Sequence, residues 1–335
     1  MISPTQRRST VHSRRLFRLG FARWPALFLL ALALATSACS QDVVIVGILE
    51  QEQNEVTAEA RTGFLEALRD AGYKGGENAR FVRRNAEVRE QPLDELAQEL
   101  VRDEGAQLVL AIGTPALLAA AGIEDVPVLF AMIGDTFAAG YAGGAAATNP
   151  AVHNPRITGA AAMPPIAEAV AYVMRALPQA ALIGVLAVDS DPDSKLTGNL
   201  AQGQWQSIGG TRLVVERAAT SAGATQAAER LLAQGVQAIL LTTAPLTEVQ
   251  LAAVISRAEA AGVPVFGTTE AQARAGAVAS IGTDPRANGR IAGGMAARVL
   301  GGTAVASIAI ATDSPVRVWT NAGVAKRFGI TLPLD

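Results

Sequence analysis

Eight residues stand where small-molecule chemistry could be done: Gln53, Asn54, Gly113, Thr114, Asp135, Thr243, Thr269 and Asp284. Each lies just beyond an apolar, β-type run and at or before a stretch with helical spacing. In open α/β sheets such loops sit at the carboxyl ends of the strands, where free backbone N–H groups and the positive end of a helix hold anionic ligand groups. The clearest mechanism belongs to Gly113-Thr114-Pro115: glycine lets the backbone approach a ligand, the threonine can donate or cap, and proline suits the first helical turn. A plain helix cap is the competing reading. Asp135 also has two readings, a partner for a ligand ammonium or a carboxylate that orders its own loop. Asp284, before Pro285, fits an N-cap as well as a ligand contact. Glu50, Glu52 and Glu55 cluster after the first strand and could hold a cationic group, although solvated surface is the commoner fate of such acids.

Bond-making chemistry finds less support. His153 is the one histidine outside the N-terminal leader and Cys39 the one cysteine, so neither a zinc site nor a Ser-His-Asp triad can be assembled. His153 reads as a polar loop residue, Trp205 and Trp319 as packing residues. There is no G-x-S-x-G elbow and no G-x-x-x-x-G-K-[ST] phosphate loop. A non-enzymatic binding protein with no cofactor and no metal is the expectation.

The N-terminus sets the compartment. Arg7, Arg8, Arg14, Arg15, Arg18 and Arg23 occur with no acid among them, followed by the apolar run Pro25–Ala35 and the small residues Thr36-Ser37-Ala38 before Cys39. A basic stretch, an apolar core and a small-residue cleavage site describe a secretory signal over residues 1–38. The core is shorter than the about 20 apolar residues a spanning helix needs. The segment before Cys39 resembles a lipobox, implying a lipidated cysteine and a membrane anchor, although Thr36 occupies the place where leucine is usual. Ordinary cleavage after Ala38 is the other reading. Ser13–Arg18 resembles a twin-arginine export motif. Loss of the leader removes six arginines and no acid, taking Lys+Arg from 28 to 22 against 30 Asp+Glu, a net of about −8. Nucleic-acid binding requires the opposite balance.

Some 297 residues follow Ala38, more than one core usually takes. Apolar strand-like runs alternate with helical patterns, which predicts βαβ units around parallel sheets. Val43–Leu49 reads as a strand buried on both faces. A helix over 57–72, a strand over 80–84, a helix over 91–103 and strands over 108–112 and 126–131 complete a first series. Residues 134–155, rich in Gly, Asn and Pro, interrupt it. A second series begins with a strand over 156–160. It continues through helices at 165–177, 194–207, 224–234 and 247–261, with strands at 182–186, 212–216, 238–242 and 263–266 between them. A final helix spans 286–300.

Ten short segments give this cadence an identity. They include Val46–Ile48, Gly63–Leu65, Ala71–Tyr73 with Gly76–Asn78, Ala111–Ala116, Val126–Phe130, Ile157–Gly159, Ile183–Leu186, Ala261–Phe266, Gly289-Arg290 and Ala325–Pro333. In this order and spacing the chain resembles the ABC-transporter substrate-binding family that includes tryptophan and other aromatic amino-acid binding proteins. The resemblance implies an α/β fold of two Rossmann-like lobes with parallel sheets joined by a hinge, the type I periplasmic-binding-protein fold. It further implies lobe 1 over 43–157 plus 285–312 and lobe 2 over 158–284 plus 313–335. It implies an exported, periplasmic or cell-surface lipoprotein that captures a small polar ligand such as an amino acid between its lobes. An ABC permease and its ATPase would be the partners. The pocket positions depart from the family pattern. Gln53-Asn54-Glu55 replaces Glu-His-Pro, Thr242–Pro245 replaces Pro-Thr-Asp-Asn, and Thr269 stands in place of Asp. The ligand is therefore not carried over. A ligand sensor or other non-transport binding protein of the same fold is the second reading.

Overall fold

In a computed structural model, residues 43–134, 152–203, 207–208, 210–244 and 246–333 are described. Cys39 with the whole leader, Asp135 and Trp205 lie outside them. Residues 43–335 form one compact unit, built on two parallel sheets.

The first sheet contains β1 (Val44–Glu50), β2 (Ala79–Asn85), β3 (Leu108–Ile112), β4 (Val128–Ile133) and β5 (Ile157–Ala161), in the order β2-β1-β3-β4-β5, all parallel. The continuous apolar run of β1 is explained by its central place: side chains on both faces meet helices. Val46 and Ile48 pack with α1 (Glu55–Asp70) and α10 (Pro285–Leu300), while Leu49 packs with α3 (Leu93–Arg102) and α4 (Thr114–Ala120) on the other face. A four-residue helix, α2 (Ala86–Arg89), follows β2.

The family resemblance implies a lobe boundary at 157/158; β5 lies across it, hydrogen-bonded to β4 as the fifth strand of the first sheet. The strand is buried throughout, with Ile157 and Ala161 in the core under α4 and Ala160 on the opposite face. Burial on both faces holds it there, so the Gly/Pro-rich interruption falls within the first sheet's own connections. The chain leaves that sheet after Ala161.

The second sheet contains β6 (Leu182–Val188), β7 (Ser207–Ile208), β8 (Thr211–Ala218), β9 (Ala238–Leu241) and β10 (Val265–Phe266), ordered β10-β9-β6-β8-β7, with only β7 antiparallel. An antiparallel pair, β11 (Ala279–Thr283) and β12 (Val316–Thr320), adjoins it through the parallel bridge of Gly267 with Ser280. Its helices are α5 (Ile166–Ala176), α6 (Pro192–Gly203), α7 (Ala224–Ala233), α8 (Glu248–Ala260), α9 (Glu270–Ala275) and α11 (Ala322–Arg327).

Helix α10 returns to the first sheet. It lies so close on α1 that a Cβ on Gly63 would meet the Arg286 carbonyl, and one on Gly289 the Ala60 carbonyl. Backbone-to-backbone approach of this kind is open only to glycine. Along the same seam, Glu66 pairs with Arg286 and Arg290, and Asp70 with Arg290. The hydrogen bond from Arg286 is the main cause of a lowered Glu66 carboxyl pKa, partly opposed by burial.

Candidate functional site

Because both sheets are parallel, each collects its strand-to-helix loops on one edge. The first edge is formed by residues 51–54, 113–114 and 133–134, the second by 189–193, 242–244 and 267–269. Side-chain geometry shows that the two edges face each other. A Cβ on Gly134, after β4, would collide with the carboxylate of Asp193 in α6. Arg274 of α9 forms an ion pair with Glu55 at the start of α1. Arg317 of β12, stacked over Trp319, lies 3.4 Å from Glu59 one turn further along α1. These contacts define a cleft between the two edges.

The first edge is largely satisfied by its own bonds. Asn54 is the N-cap of α1: its side chain accepts from Thr57 N–H at 2.9 Å and the Thr57 hydroxyl oxygen accepts from Asn54 N–H, a complete capping box. Gln53 donates its backbone N–H to Glu87 at 2.8 Å and its side chain faces Arg83. Glu50 corrects the surface reading of the acidic cluster: it is 0% exposed, paired with Arg61 and, at 2.7 Å, with Arg83. Two guanidiniums reaching in from α1 and β2 make that burial tenable. Glu52, by contrast, is exposed. Gly113 has φ +87° with open space where a Cβ would stand. The α4 N-terminus that follows has no side-chain cap, and the Thr114 hydroxyl has no hydrogen-bond partner among the described residues. Thr114 thus does not cap, and its N–H faces an uncapped helix start.

The second edge presents unused groups. Thr243 Oγ1 and Thr268 Oγ1 are buried and have no partner among the described residues. Their neighbours are committed: Thr242 donates to the Leu186 carbonyl at 3.0 Å and bonds Ser194. Thr269 caps α9 in a capping box with Gln272, whose Nε2 donates to the Thr242 carbonyl at 2.8 Å. Asp284 accepts from Ala287 N–H at 3.1 Å, capping α10. Thr269 and Asp284, like Asn54, each cap a helix. Sequence reasoning passed over Asp191 and Asp193. Asp191 caps α6 through Ser194 N–H at 2.7 Å. Burial raises its carboxyl pKa, two backbone N–H groups oppose the rise, and the charge of Glu52 across the cleft adds to it. The run Asp189–Asp193 ahead of a helix was the available signal. His153 bridges the Asn154 and Ile308 carbonyls at 2.8 and 2.9 Å, a loop-fixing role. No group of three metal-ligating side chains occurs among the described residues.

Residues 43–334 match the family described as ABC transporter substrate binding protein. The chain belongs to that family. It is a substrate-binding protein of an ABC transport system, in a family of extracytoplasmic, non-enzymatic solute binders. A tyrosine-binding protein of Clostridioides difficile is 25% identical over 284 residues, covering 84% of this chain and 79% of the relative. Among solved structures, the ligand-free, open form of a Clostridium difficile substrate-binding protein with adhesive properties superimposes with TM-score 0.74 at 24% identity, over 87% of this chain and 96% of the other. A Streptococcus pneumoniae ABC domain in complex with L-Trp gives 0.72 at 22% identity, with the same coverage. The two-sheet fold is thus that of the periplasmic binding proteins, a branched-chain amino-acid binder and a glucose–galactose binder among them.

Proposed function

We propose that the chain is a lipoprotein, anchored through Cys39, that captures an amino acid in the cleft and delivers it to an ABC permease driven by a cytoplasmic ATPase. In this reading the first lobe is the first sheet with α10, and the second lobe is the second sheet with the β11–β12 pair. The observation that carries it is the meeting of unlike groups across one cleft. The uncapped start of α4 offers the Thr114 N–H and hydroxyl to a carboxylate, while Thr243, Thr268 and the acids around Asp191 lie on the opposite edge. An α-amino acid carries both complementary charges on one carbon. The relatives that bind tyrosine and L-Trp support this class.

A thermal-shift screen of the purified mature chain tests it, since a ligand held only by the folded state raises Tm. Aromatic amino acids, branched amino acids and small carboxylates form the panel. A hit whose affinity is unaltered in Thr114→Ala and in Thr243→Val would refute this placement of the ligand. Labelled palmitate should enter the protein in intact bacteria and fail to enter Cys39→Ser; absence of label in the parent chain removes the anchor.

A further inference from the structure

We infer that Asn288 is a positioning residue for ligand capture, clamping the cleft wall at Met132–Gly134 to the crossovers that join the two sheets. The ligand to be captured is taken from the proposed function; the placement of Gly134 on the cleft comes from its approach to Asp193.

A strained bulge and two long-range hydrogen bonds meet at this side chain. Met132 has φ +58°, a left-handed conformation that is strained for any residue with a Cβ, and strain of this kind concentrates at functional sites. The β4–β5 register shifts between Phe130 and Ile133, so Met132 sits in a bulge and Gly134 beyond it is re-aimed toward Asp193. Asn288, fully buried in α10, accepts from Met132 N–H at 2.9 Å and donates to the Ala161 carbonyl at 2.7 Å. Ala161 is where the chain leaves the first sheet.

All three crossovers meet here. The Ala161 carbonyl also accepts from Ser314 Oγ at 3.1 Å, and Ala161 N–H donates to the Ala311 carbonyl at 2.8 Å, both on the third crossover. Asp284 N–H, on the second, donates to the Pro315 carbonyl at 2.7 Å. Ala162 N–H, on the first, donates to the Ile133 carbonyl at 2.8 Å. The wall residues are thus held on one side by Asn288 and on the other by the first crossover. A change of angle at the crossovers moves the wall with them, and a well-placed wall fixes the angle at which Asp193 can approach. Asn288 is fully buried in the first turn of α10, and its two bonds span 156 and 127 residues of sequence.

The test uses the full chain with Cys39→Ser and spin labels at Leu118→Cys in α4 and Val249→Cys in α8, both exposed. Inter-label distances are read with and without Asn288→Ala, with amide exchange at Met132–Gly134 and titration with L-tyrosine and L-tryptophan. The expected result is faster exchange at those amides, a broadened distance distribution and about tenfold weaker binding. Adding Met132→Gly, which tolerates the left-handed backbone, should restore the narrow distribution and the affinity while the loss of Tm persists. Lower Tm with unchanged distances, or no rescue by Met132→Gly, overturns the inference. Should Asn288→Ala fail to fold, Ser314→Ala keeps one donor on the Ala161 carbonyl and should broaden the distribution to a smaller degree; an unchanged distribution there overturns it equally. If neither amino acid binds the parent chain, the ligand reading falls, while distances and exchange still decide the role of Asn288.

Discussion

The two edges of the cleft are made from the same unit, a parallel strand, a short loop and a helix, yet they use their polar groups differently. On the first edge Glu50, Asn54 and Asn85 are all bonded within their own lobe: one to two arginines, the others to helix N-termini. On the second edge Thr243 and Thr268 keep buried hydroxyls without partners among the described residues. A polar group that folding has already satisfied holds a scaffold. A buried one left over is a cost to the folded state unless something arrives to meet it. Substitutions at the bonded residues Glu50, Asn54 and Asn85 should therefore register in stability, and those at the unpartnered hydroxyls of Thr243 and Thr268 in affinity.

The largest effect is expected where the first edge is most tightly bonded. Glu50 is fully buried, and its two cations come from different elements. Replacing both by Arg61→Met and Arg83→Met strands a carboxylate in the interior, with Asn85 Nδ2 at 3.4 Å as its remaining partner. Loss of the cations from a buried charge costs about 3–5 kcal/mol. Urea unfolding should show that loss as a lower midpoint with little change in slope. A change below about 1 kcal/mol would mean that Glu50 takes up solvent readily, and the contrast between the edges would collapse.

Next in size is the place where the edges touch. Ala at Gly134 would press a methyl group on the Asp193 carboxylate, a contact between the two edges. Overpacking costs about 1–3 kcal/mol, which corresponds to a loss of affinity from about fivefold to about 150-fold for a ligand that requires closure. Tm without ligand should scarcely move. An equal drop in ligand-free stability would show that the lobes stay closed without a ligand.

How much of this was legible beforehand follows the range of the interactions. The strand–helix alternation is local, and the sequence periods locate helices α1, α3, α5, α7, α8 and α10 within about two residues of their observed ends. Asn54, Thr269 and Asp284 read from the sequence as ligand positions, and only Asp284 also as an N-cap. A ligand contact and an N-cap ask for the same residue type at the same position, so only the observed bonds to Thr57, Gln272 and Ala287 separate the two. Glu50 looked like surface because the arginines that neutralise it lie 11 and 33 residues away. The sheet to which residues 158–161 belong is not legible, because a Gly/Pro-rich stretch marks a lobe boundary and a long loop within one lobe equally well; only the pairing of β5 with β4 shows it. Asn288 carried no sequence signal at all, since both of its partners are more than a hundred residues distant.

The smallest effects give the sharpest test, because two adjacent threonines should answer with opposite signs. Thr269 accepts from Gln272 N–H in its capping box, so Thr269→Val should destabilise by about 1 kcal/mol. Thr268 is 3% exposed and its hydroxyl has no partner, so Thr268→Val removes an unsatisfied group of nearly the same shape and should stabilise the ligand-free protein by about 1 kcal/mol. If the proposed function holds, the same Thr268→Val should weaken amino-acid binding, because it removes a buried hydroxyl that folding leaves unpaired. Opposed changes in Tm and affinity at one residue are what a site held at the expense of stability produces. Paired melting and titration curves for the two variants decide the matter. If Thr268→Val lowers Tm as Thr269→Val does, the second edge is satisfied by folding after all, and the difference between the edges disappears.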